Sequence, residues 1–355
     1  MVTMGASKRS PSSPAPLSVT PAIPSISRPP EPPPVRGRFA PSPTGALHVG
    51  NARTALLAWL HARASGGALV MRVEDLDVGR VRAGVMETQL DELRWLGLGW
   101  DEGPDVGGPH APYVQSARTA RYDEALRTLA GRGLLFECAC SRKDIAAAAS
   151  APHAGEEGPR YPGICRARLV DPSAPSLMAH GRAHVALRVR VEPGEVCFDD
   201  LLQGRCCFDP AEETGDFVAR RKDGAAAYQL AVVVDDAAME ITHVVRGGDL
   251  LASTARQLLL YRALSLPAPR FLHVPLMLGA DGERLAKRHG AVSLGELRAR
   301  GVPAERVVGW LAATCGLADE GEHVSARDLV SRFSVARLPR AATVVTDDAL
   351  RRIAG

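Results

Sequence analysis

An α/β fold with a parallel sheet is predicted by the alternation of segment types along the chain. Arg36–Ala40 has the pattern of a short strand, a Pro/Gly loop follows, and Ala52–Ala64 has the pattern of an apolar helix. Ala68–Glu74 is again strand-like, and the periodic stretch Val81–Leu96 is predicted to be a helix that ends at Gly97. Strands joined by helices in this order are typical of a parallel sheet with crossover connections.

The alternation is interrupted once and then resumes. Residues 136–210 contain cysteines, an Ala/Gly/Pro-rich loop and the strand-like Ala183–Val191, which we interpret as an inserted subdomain. Alternation starts again at Asp216, where the apolar run Leu230–Val234 indicates a buried strand. Three helices are predicted after Ala291, at Leu294–Arg300, Ala304–Cys315 and Ala326–Phe333.

The N-terminal segment 1–36 is dense in Pro and Ser and is predicted to be a disordered tail, because it buries too little apolar surface to offset its ordering entropy. A mis-assigned start codon is the alternative. The expected organisation is this tail, the first half of an α/β domain at 37–135, the insertion at 136–210, the second half of that domain at 211–292, and a short helical C-terminal region at 293–355.

Composition sets limits on the class of protein. The 355 residues carry a net charge of +3, which permits an RNA partner without indicating one. No apolar run approaches the roughly 20 residues that a membrane helix needs, and no secretory signal is recognisable. We therefore expect a cytoplasmic protein without a membrane partner. Seven unevenly spaced cysteines favour thiol or metal use over a disulfide framework.

A phosphate-binding loop is predicted at Pro41–Asn51, PSPTGALHVGN, between a strand and a helix. Gly45 and Gly50 let the backbone approach a ligand, and the N-terminus of the following helix attracts phosphate. His48 is expected to donate to a triphosphate oxygen. The segment fits neither GxxxxGK[ST] nor GxGxxG, so on spacing alone an ordinary strand-to-helix turn remains the alternative.

A second loop, Gly282–Arg288, carries cations next to glycine. Such a loop suits a clamp that neutralises the β- and γ-phosphates while the α-phosphate is attacked. Taken alone, a solvated basic turn is the alternative.

Cys138, Cys140 and Cys165 flank the Ala/Gly-rich loop of the insertion. Thiolates bind tetrahedral Zn²⁺, and a loop-rich subdomain gains stability from a metal; free structural thiols are the alternative. The remaining cysteines have no such pattern and are predicted to be packing residues: Cys197, Cys206, Cys207 and Cys315.

The segment RFAPSPTGALHVGNARTALLAWLHAR resembles the signature of glutamyl-tRNA synthetases, which are class I enzymes. Their HIGH motif corresponds to His48–Asn51, where Asn51 replaces the final histidine and can still donate to phosphate. RVEDLD, WLGLGWDEGP, AYQLAVVVDDA and THVVRGGDLLASTARQ extend the resemblance over about residues 38–292. It implies a Rossmann-like nucleotide-binding catalytic domain that activates glutamate with ATP and Mg²⁺.

The resemblance also implies roles for the two loops. Arg284–Arg288 is similar to the KMSKS loop, in which Lys287 matches the second lysine, Arg284 replaces the first and Ala286 replaces the serine. His48, Asn51 and Lys287 would be catalytic. The residues implied to bind ATP are His48, Gly50, Asn51, Arg284 and Lys287.

Glutamate presents two carboxylates and one ammonium, so a selective pocket needs guanidinium groups and one acid. By resemblance to the family, Arg38 through Ser42 and Arg246 hold the carboxylates, Glu74 takes the ammonium and Tyr228 supplies a hydroxyl contact. The full implied set is Arg38, Phe39, Ala40, Pro41, Ser42, Glu74, Tyr228 and Arg246.

The cysteine cluster, in which CxC is followed by Tyr161-Pro-Gly-Ile-Cys165, is similar to the zinc site of glutamyl-Q tRNA(Asp) synthetases. That resemblance implies one Zn²⁺ per chain, held by Cys138, Cys140, Tyr161 and Cys165. Only residues 289–355 follow the second loop, too few for the helical body with which a glutamyl-tRNA synthetase reads an anticodon. The implied partners are L-glutamate, ATP and queuosine-bearing tRNA(Asp), and a monomer is expected. The alternatives are a truncated glutamyl-tRNA synthetase that charges tRNA(Glu) and a non-catalytic RNA-binding paralogue.

Overall fold

The computed structural model describes residue 1 and residues 34–141, 143–145, 160–173, 177, 185–283, 285 and 293–354. The predicted tail lies almost entirely outside the described residues. So do Arg284, Ala286 and Lys287 of the second loop, and most of the Ala/Gly-rich loop of the insertion.

A four-stranded parallel sheet forms the centre of the protein, in the order β2-β1-β8-β9. The strands are β1 (Arg36–Phe39), β2 (Ala68–Met71), β8 (His243–Gly247) and β9 (Arg270–Val274). Because each neighbouring pair is parallel, the predicted α/β class with crossover helices is confirmed.

Helices cover this sheet and extend beyond it. They are α1 (Val49–Ala64), α2 (Val85–Trp95), α3 (Thr119–Gly131), α4 (Pro210–Glu213), α5 (Tyr228–Ala238), α6 (Ser253–Leu264), α7 (Leu294–Ala299), α8 (Ala304–Ala313) and α9 (Asp347–Ala354). Short 3₁₀ turns occur at Gln115–Arg118, Gly248–Leu250, Val330–Arg332 and Val335–Arg337. Among the helices in the described part of the chain, none has the length and apolar character needed to cross a bilayer.

The apolar run Leu230–Val234 was predicted to be a buried strand, and this is wrong: it lies inside α5. All five residues are buried, because α5 packs against α3 and α6 as well as against the strand Phe217–Arg220. Periodicity does not distinguish a short buried strand from a helix that is covered on several sides.

Other predicted elements differ mainly at their ends. The helix predicted at Val81–Leu96 begins only at Val85, after Gly84 in the left-handed conformation. The predicted helix Ala326–Phe333 is wrong, since only Val330–Arg332 forms a 3₁₀ turn there.

A second sheet is antiparallel, with β3 (Leu135–Cys138), β4 (Ala186–Val189) and β7 (Phe217–Arg220) in the order β3-β4-β7. Next to it along the chain is a hairpin of β5 (Val196–Asp200) and β6 (Gly204–Phe208). β7 follows the predicted insertion in sequence but pairs with β4, so this sheet takes strands from both sides of residue 210.

Cys197 and Cys207 form a disulfide, which corrects their prediction as packing residues and the preference against disulfides. They are direct cross-strand partners in the β5–β6 hairpin, with Cα atoms 4.1 Å apart. Their ten-residue spacing carried no signal, because their proximity depends on the hairpin register. Cys206 and Cys315 are free, and Cys315 is buried in the apolar core as predicted.

The C-terminal region packs onto the start of the catalytic domain. α8 lies against α1, and both contribute to one apolar core. A short parallel pair, β10 (Met277–Leu278) and β11 (Thr343–Val344), joins the chain after β9 to a segment near the C-terminus.

Candidate active site

A cavity of about 790 Å³ lies at the carboxyl ends of the central strands. Strand order reverses at β1, because the chain reaches β2 on one side and β8 on the other. Such a reversal leaves a crevice in which ligands of α/β proteins bind. All eight residues implied for glutamate line it: Arg38, Phe39, Ala40, Pro41, Ser42, Glu74, Tyr228 and Arg246.

Three of the residues implied for ATP, His48, Gly50 and Asn51, line the same cavity. The other two, Arg284 and Lys287, lie outside the described residues, whereas Leu285 between them lines the cavity. The N-terminus of α1 therefore borders the same cavity as the residues implied for glutamate binding.

His48 is the N-cap of α1, and its backbone N–H donates to Asn51 Oδ1 at 3.4 Å. With its oxygen so used, Asn51 has its amide N–H groups to offer a phosphate. The first turn of α1, which the structure describes throughout, has no acidic side chain. Nothing in that turn offsets the positive end of the helix dipole, which favours an anion.

The two loop glycines differ in their surroundings. A Cβ at Gly50 would lie 3.1 Å from the His48 ring, whereas a Cβ at Gly45 would meet nothing within 4 Å. Gly50 thus makes room for the imidazole, and Gly45 leaves space at the cavity wall.

Two buried side chains that sequence reasoning missed hold the loop and α1 in place. Gln89 Nε2 donates to the carbonyl oxygens of Ser42 at 3.1 Å and Gly45 at 2.7 Å. Arg53, one turn into α1, donates through Nη1 to Thr343 Oγ1 at 2.9 Å and through Nη2 to the carbonyl of Pro275.

Arg38 belongs to a buried ionic network. Its Nε is 3.3 Å from Asp236 Oδ1, and the same oxygen accepts from Arg72 Nη1 at 2.6 Å. Arg72 Nη2 donates to Glu74 Oε1 at 3.0 Å. Two arginines and two carboxylates therefore orient each other beside the cavity.

The environment moves the pKa values of the two acids in opposite directions. Burial raises the pKa of Glu74, and the charges of Arg72 and Arg38 offset this only in part. Burial also acts upward on Asp236, but the charges of Arg72 and Arg38 outweigh it and lower the pKa of that carboxyl. Asp236 is therefore the fixed anion of the network, and Glu74 is the acid that gains most from an added cation.

Asp235, next to Asp236 in α5, extends this network away from the cavity. It accepts from Arg118 Nε at 2.5 Å, from Gln115 Nε2 at 2.8 Å and from Tyr122 Oη at 2.8 Å. Arg72 Nε lies 4.0 Å from it.

Arg246 is the other arginine implied for glutamate, and 4% of its surface is exposed. Its Nε donates to His273 Nε2 at 3.0 Å and its Nη2 to Thr254 Oγ1 at 2.9 Å. Its Nη1 has no hydrogen-bond partner among the residues that the structure describes. A buried N–H without an acceptor is costly, and a ligand carboxylate would supply one.

The predicted metal site is brought together in the insertion. The Sγ atoms of Cys138, Cys140 and Cys165 all lie within 4.8 Å of one another, and all three cysteines are free. Four sulfurs around tetrahedral Zn²⁺ would be about 3.8 Å apart, given a Zn–S distance of about 2.3 Å. Cys140 and Cys165 are at 3.6 Å, so the thiols fit a zinc ion.

Tyr161 lies at the same cluster. Its Oη is 3.5 Å from Cys138 Sγ and accepts from the Cys165 backbone N–H at 2.9 Å. Burial opposes ionisation of Cys165, but a backbone hydrogen bond from Ala139 and contacts with Tyr161 and the other thiols lower its pKa to about 7. A thiol that ionises near neutral pH is a ready metal ligand.

Several buried residues of the site lie within the motifs RVEDLD and AYQLAVVVDDA, which do not by themselves indicate a role for them. Arg72, Asp235 and Asp236 are fully or almost fully buried and organise the ionic network. What distinguishes them in the sequence is a charged side chain inside an apolar run. Such a charge, once buried in a folded core, must be paired. His273 and Asp200 also lie within apolar stretches, FLHVPL and VCFDDLL, but that they approach Arg246 follows only from the fold.

The sequence profile described as "tRNA synthetases class I (E and Q), catalytic domain" matches residues 34–352. The "Glutamyl-Q tRNA(Asp) synthetase" of Symbiobacterium thermophilum is 53% identical over 90% of this chain and 98% of its own length. This chain belongs to the class I glutamyl-Q tRNA(Asp) synthetase family. That of Nitratidesulfovibrio vulgaris is 47% identical, again over 90% of this chain and 98% of its own length. Membership confirms the predicted enzyme class, an aminoacyl-tRNA-type ligase.

Glutamyl-Q tRNA(Asp) synthetases are not the sole relatives. The "Glutamate--tRNA ligase" of Heliobacterium modesticaldum is 44% identical over 90% of this chain, which covers 64% of that enzyme. The crystal structure of a glutamate tRNA ligase from Elizabethkingia meningosepticum, in complex with its amino acid, superimposes with a TM-score of 0.75. It is 26% identical, and the match covers 90% of this chain and 68% of that one.

Proposed function

We propose that this enzyme joins L-glutamate to the queuosine base in the anticodon loop of tRNA(Asp), with ATP as the energy source. The observation that carries the proposal is the cavity. Arg38, Arg246 and Glu74 line it together with the N-terminus of α1. The names of the relatives at 47–53% identity support the RNA substrate.

The charges of the cavity suit glutamate. Arg246 offers a guanidinium nitrogen without an acceptor in the described residues, and Arg38 supplies a second cation to the same space. Together they balance the two substrate carboxylates. Burial raises the pKa of Glu74, and the charges of Arg72 and Arg38 offset this only in part. The substrate ammonium would therefore stabilise the ionised form of Glu74.

Activation then requires charge stabilisation but no enzyme nucleophile. An oxygen of the substrate α-carboxylate attacks the α-phosphorus of ATP, the bond to the bridging oxygen breaks, and pyrophosphate leaves. His48, Asn51 and the α1 N-terminus would hold phosphate oxygens together with Arg284 and Lys287 on the second loop, and Mg²⁺ would supply further positive charge to the phosphates. A hydroxyl of queuosine then takes the glutamyl group, and AMP is released.

The cysteine cluster is proposed to hold one structural Zn²⁺, with Cys138, Cys140, Cys165 and Tyr161 as ligands. Three thiols at metal spacing and the phenol oxygen 3.5 Å from Cys138 Sγ support this set. The ion would stabilise a subdomain in which β3 and β4 are joined by a long connection.

A charging assay tests the RNA substrate. The purified enzyme is given ATP and glutamate with tRNA(Asp) that carries queuosine, with tRNA(Asp) that lacks it, and with tRNA(Glu). Glutamate should become attached to the first RNA alone, and Arg246→Gln should weaken the reaction by raising the KM for glutamate.

The second candidate, a tRNA(Glu)-charging enzyme, is favoured by the 44% identity to a glutamate–tRNA ligase. Preferential loading of tRNA(Glu) in the same assay would establish it and overturn the proposal.

A further inference from the structure

A buried chain of three polar side chains extends from the cavity into the protein. Asp200 Oδ2 lies 2.7 Å from His273 Nδ1, and His273 Nε2 lies 3.0 Å from Arg246 Nε. The side chains of Asp200 and His273 have no exposed surface, and of the three residues only Arg246 lines the cavity. The chain therefore connects the amino acid pocket to the β5–β6 hairpin, to which Asp200 belongs.

These contacts fix the protonation of the imidazole. A guanidinium Nε is always a donor, so His273 Nε2 has to be the acceptor nitrogen. Nδ1 then carries the hydrogen and donates to Asp200. Burial lowers the pKa of His273, and the charge of Arg246 acts in the same direction. The hydrogen bond and the charge of Asp200 raise it but do not outweigh them, which favours the neutral ring with its acceptor nitrogen.

Asp200 is itself held rigidly. Its Oδ1 accepts from the backbone N–H groups of Leu202 at 2.9 Å and Gln203 at 2.8 Å, and its Oδ2 also accepts from the His273 backbone N–H at 3.0 Å. The carboxylate therefore sets the tautomer and the orientation of the ring together.

Arg246 is thereby oriented through two of its nitrogens. His273 Nε2 accepts from Nε, and Thr254 Oγ1 accepts from Nη2. Two bonds in the plane of a rigid guanidinium fix that plane, and Nη1 is left without a partner in the described residues.

We propose that His273, set in one tautomer by Asp200, is a positioning residue that fixes Arg246 for the substrate carboxylate. The inference rests on the proposed function, in which Arg246 binds glutamate. It assigns to the buried pair Asp200–His273 a part in amino acid affinity that neither residue could have through direct contact.

Glutamate-dependent ATP–pyrophosphate exchange by the full chain tests this role. His273→Phe keeps an aromatic ring beside Phe271 but removes the side-chain hydrogen bonds to Asp200, Arg246 and Thr254. The KM for glutamate should rise about tenfold or more, the loss expected for a hydrogen bond to a charged group. The KM for ATP should change by less than about twofold, since only one substrate loses its contact.

Two further variants separate positioning from folding. His273→Gln returns an acceptor near Nε2 and should bring the KM for glutamate back to within about threefold of the native value. Asp200→Asn should raise the KM for glutamate, whereas Asp199→Asn, the neighbouring residue with a side chain 79% exposed, should not. If His273→Phe does not fold, the Asp200→Asn and Asp199→Asn pair decides.

Arg246→Gln distinguishes the positioning role of His273 from the proposed function of the cavity. With Arg246 already replaced, His273→Phe should cause no further rise in the KM for glutamate. If Arg246→Gln raises that KM but His273→Phe and Asp200→Asn leave it unchanged, the positioning role is overturned and the proposed function stands. If Arg246→Gln has no effect, or the native enzyme shows no glutamate-dependent exchange, both are overturned.

Discussion

Arg72 donates through Nη1 to Asp236 Oδ1 at 2.6 Å, and neither side chain has more than 2% of its surface exposed. The pair lies beside the cavity, where Arg38 shares the same carboxylate oxygen. Because water is excluded from both groups, each depends on the other for its charged form.

Replacement of Arg72 by Met should destabilise the protein by about 3–5 kcal/mol, because Asp236 and Glu74 would keep their burial and lose a cation. Urea denaturation of the ligand-free enzyme measures this. Arg80→Met, at a side chain 74% exposed, is the control and should change the stability by about 0.5 kcal/mol or less. A loss below about 1 kcal/mol for the Arg72 variant would contradict the network.

The affinity for L-glutamate should fall as the pH is lowered, starting above the ordinary carboxyl value of 4.5, because the pKa of Glu74 is raised. Its protonated form cannot pair with the substrate ammonium. The ligand-free protein should show the opposite sign: the folded state takes up this proton at a higher pH than the unfolded state, so protonation of Glu74 favours folding. Calorimetric titrations of native and Glu74→Gln enzyme check this. A pH dependence that persists unchanged in the variant would count against Glu74.

Lys287→Ala should lower the rate of glutamyl-adenylate formation far more than glutamate binding. An ammonium on the second loop would stabilise the negative charge that develops on the phosphates in the transition state. Its loss should lower the rate of adenylate formation about 100-fold or more. Single-turnover adenylate formation and equilibrium glutamate binding are compared, with exposed Arg340→Ala as the control for loss of one cation. Equal losses in both measurements would remove Lys287 from this role.

The purified enzyme should contain about one zinc ion per chain, and Cys138→Ser should release it, because a hydroxyl is a poor substitute for a thiolate at zinc. Metal analysis and thermal unfolding measure the two effects. Cys206→Ser changes a free thiol outside the cluster and should retain the metal. Native protein without zinc would make the cluster a set of structural thiols.

The sequence predicted which residues line the cavity better than which residues support them, for a physical reason. Arg38, Glu74 and Arg246 lie at or just after strand ends, and the ends of parallel strands meet at one edge of a sheet. These residues lie close together because the sheet is parallel, and the alternation of strands and helices in the sequence already predicts a parallel sheet.

Contacts that depend on register or packing could not be predicted in this way. Cys197 meets Cys207 only through the β5–β6 register, and Asp200 reaches His273 across 73 positions of sequence. The helical state of Leu230–Val234 was equally hidden, since burial on several sides erases the periodicity of a helix.

The contact between Arg53 and Thr343 places opposite ends of the polypeptide in one structure: α1 borders the cavity, and its arginine bonds to a residue 290 positions later. β10, which follows the cavity wall at Pro275, gains its partner strand from the same late segment. During synthesis the catalytic half leaves the ribosome long before Thr343 does. A chain that ends before Thr343 therefore contains the residues that line the cavity but lacks the hydrogen bond to Arg53 and the partner strand of β10.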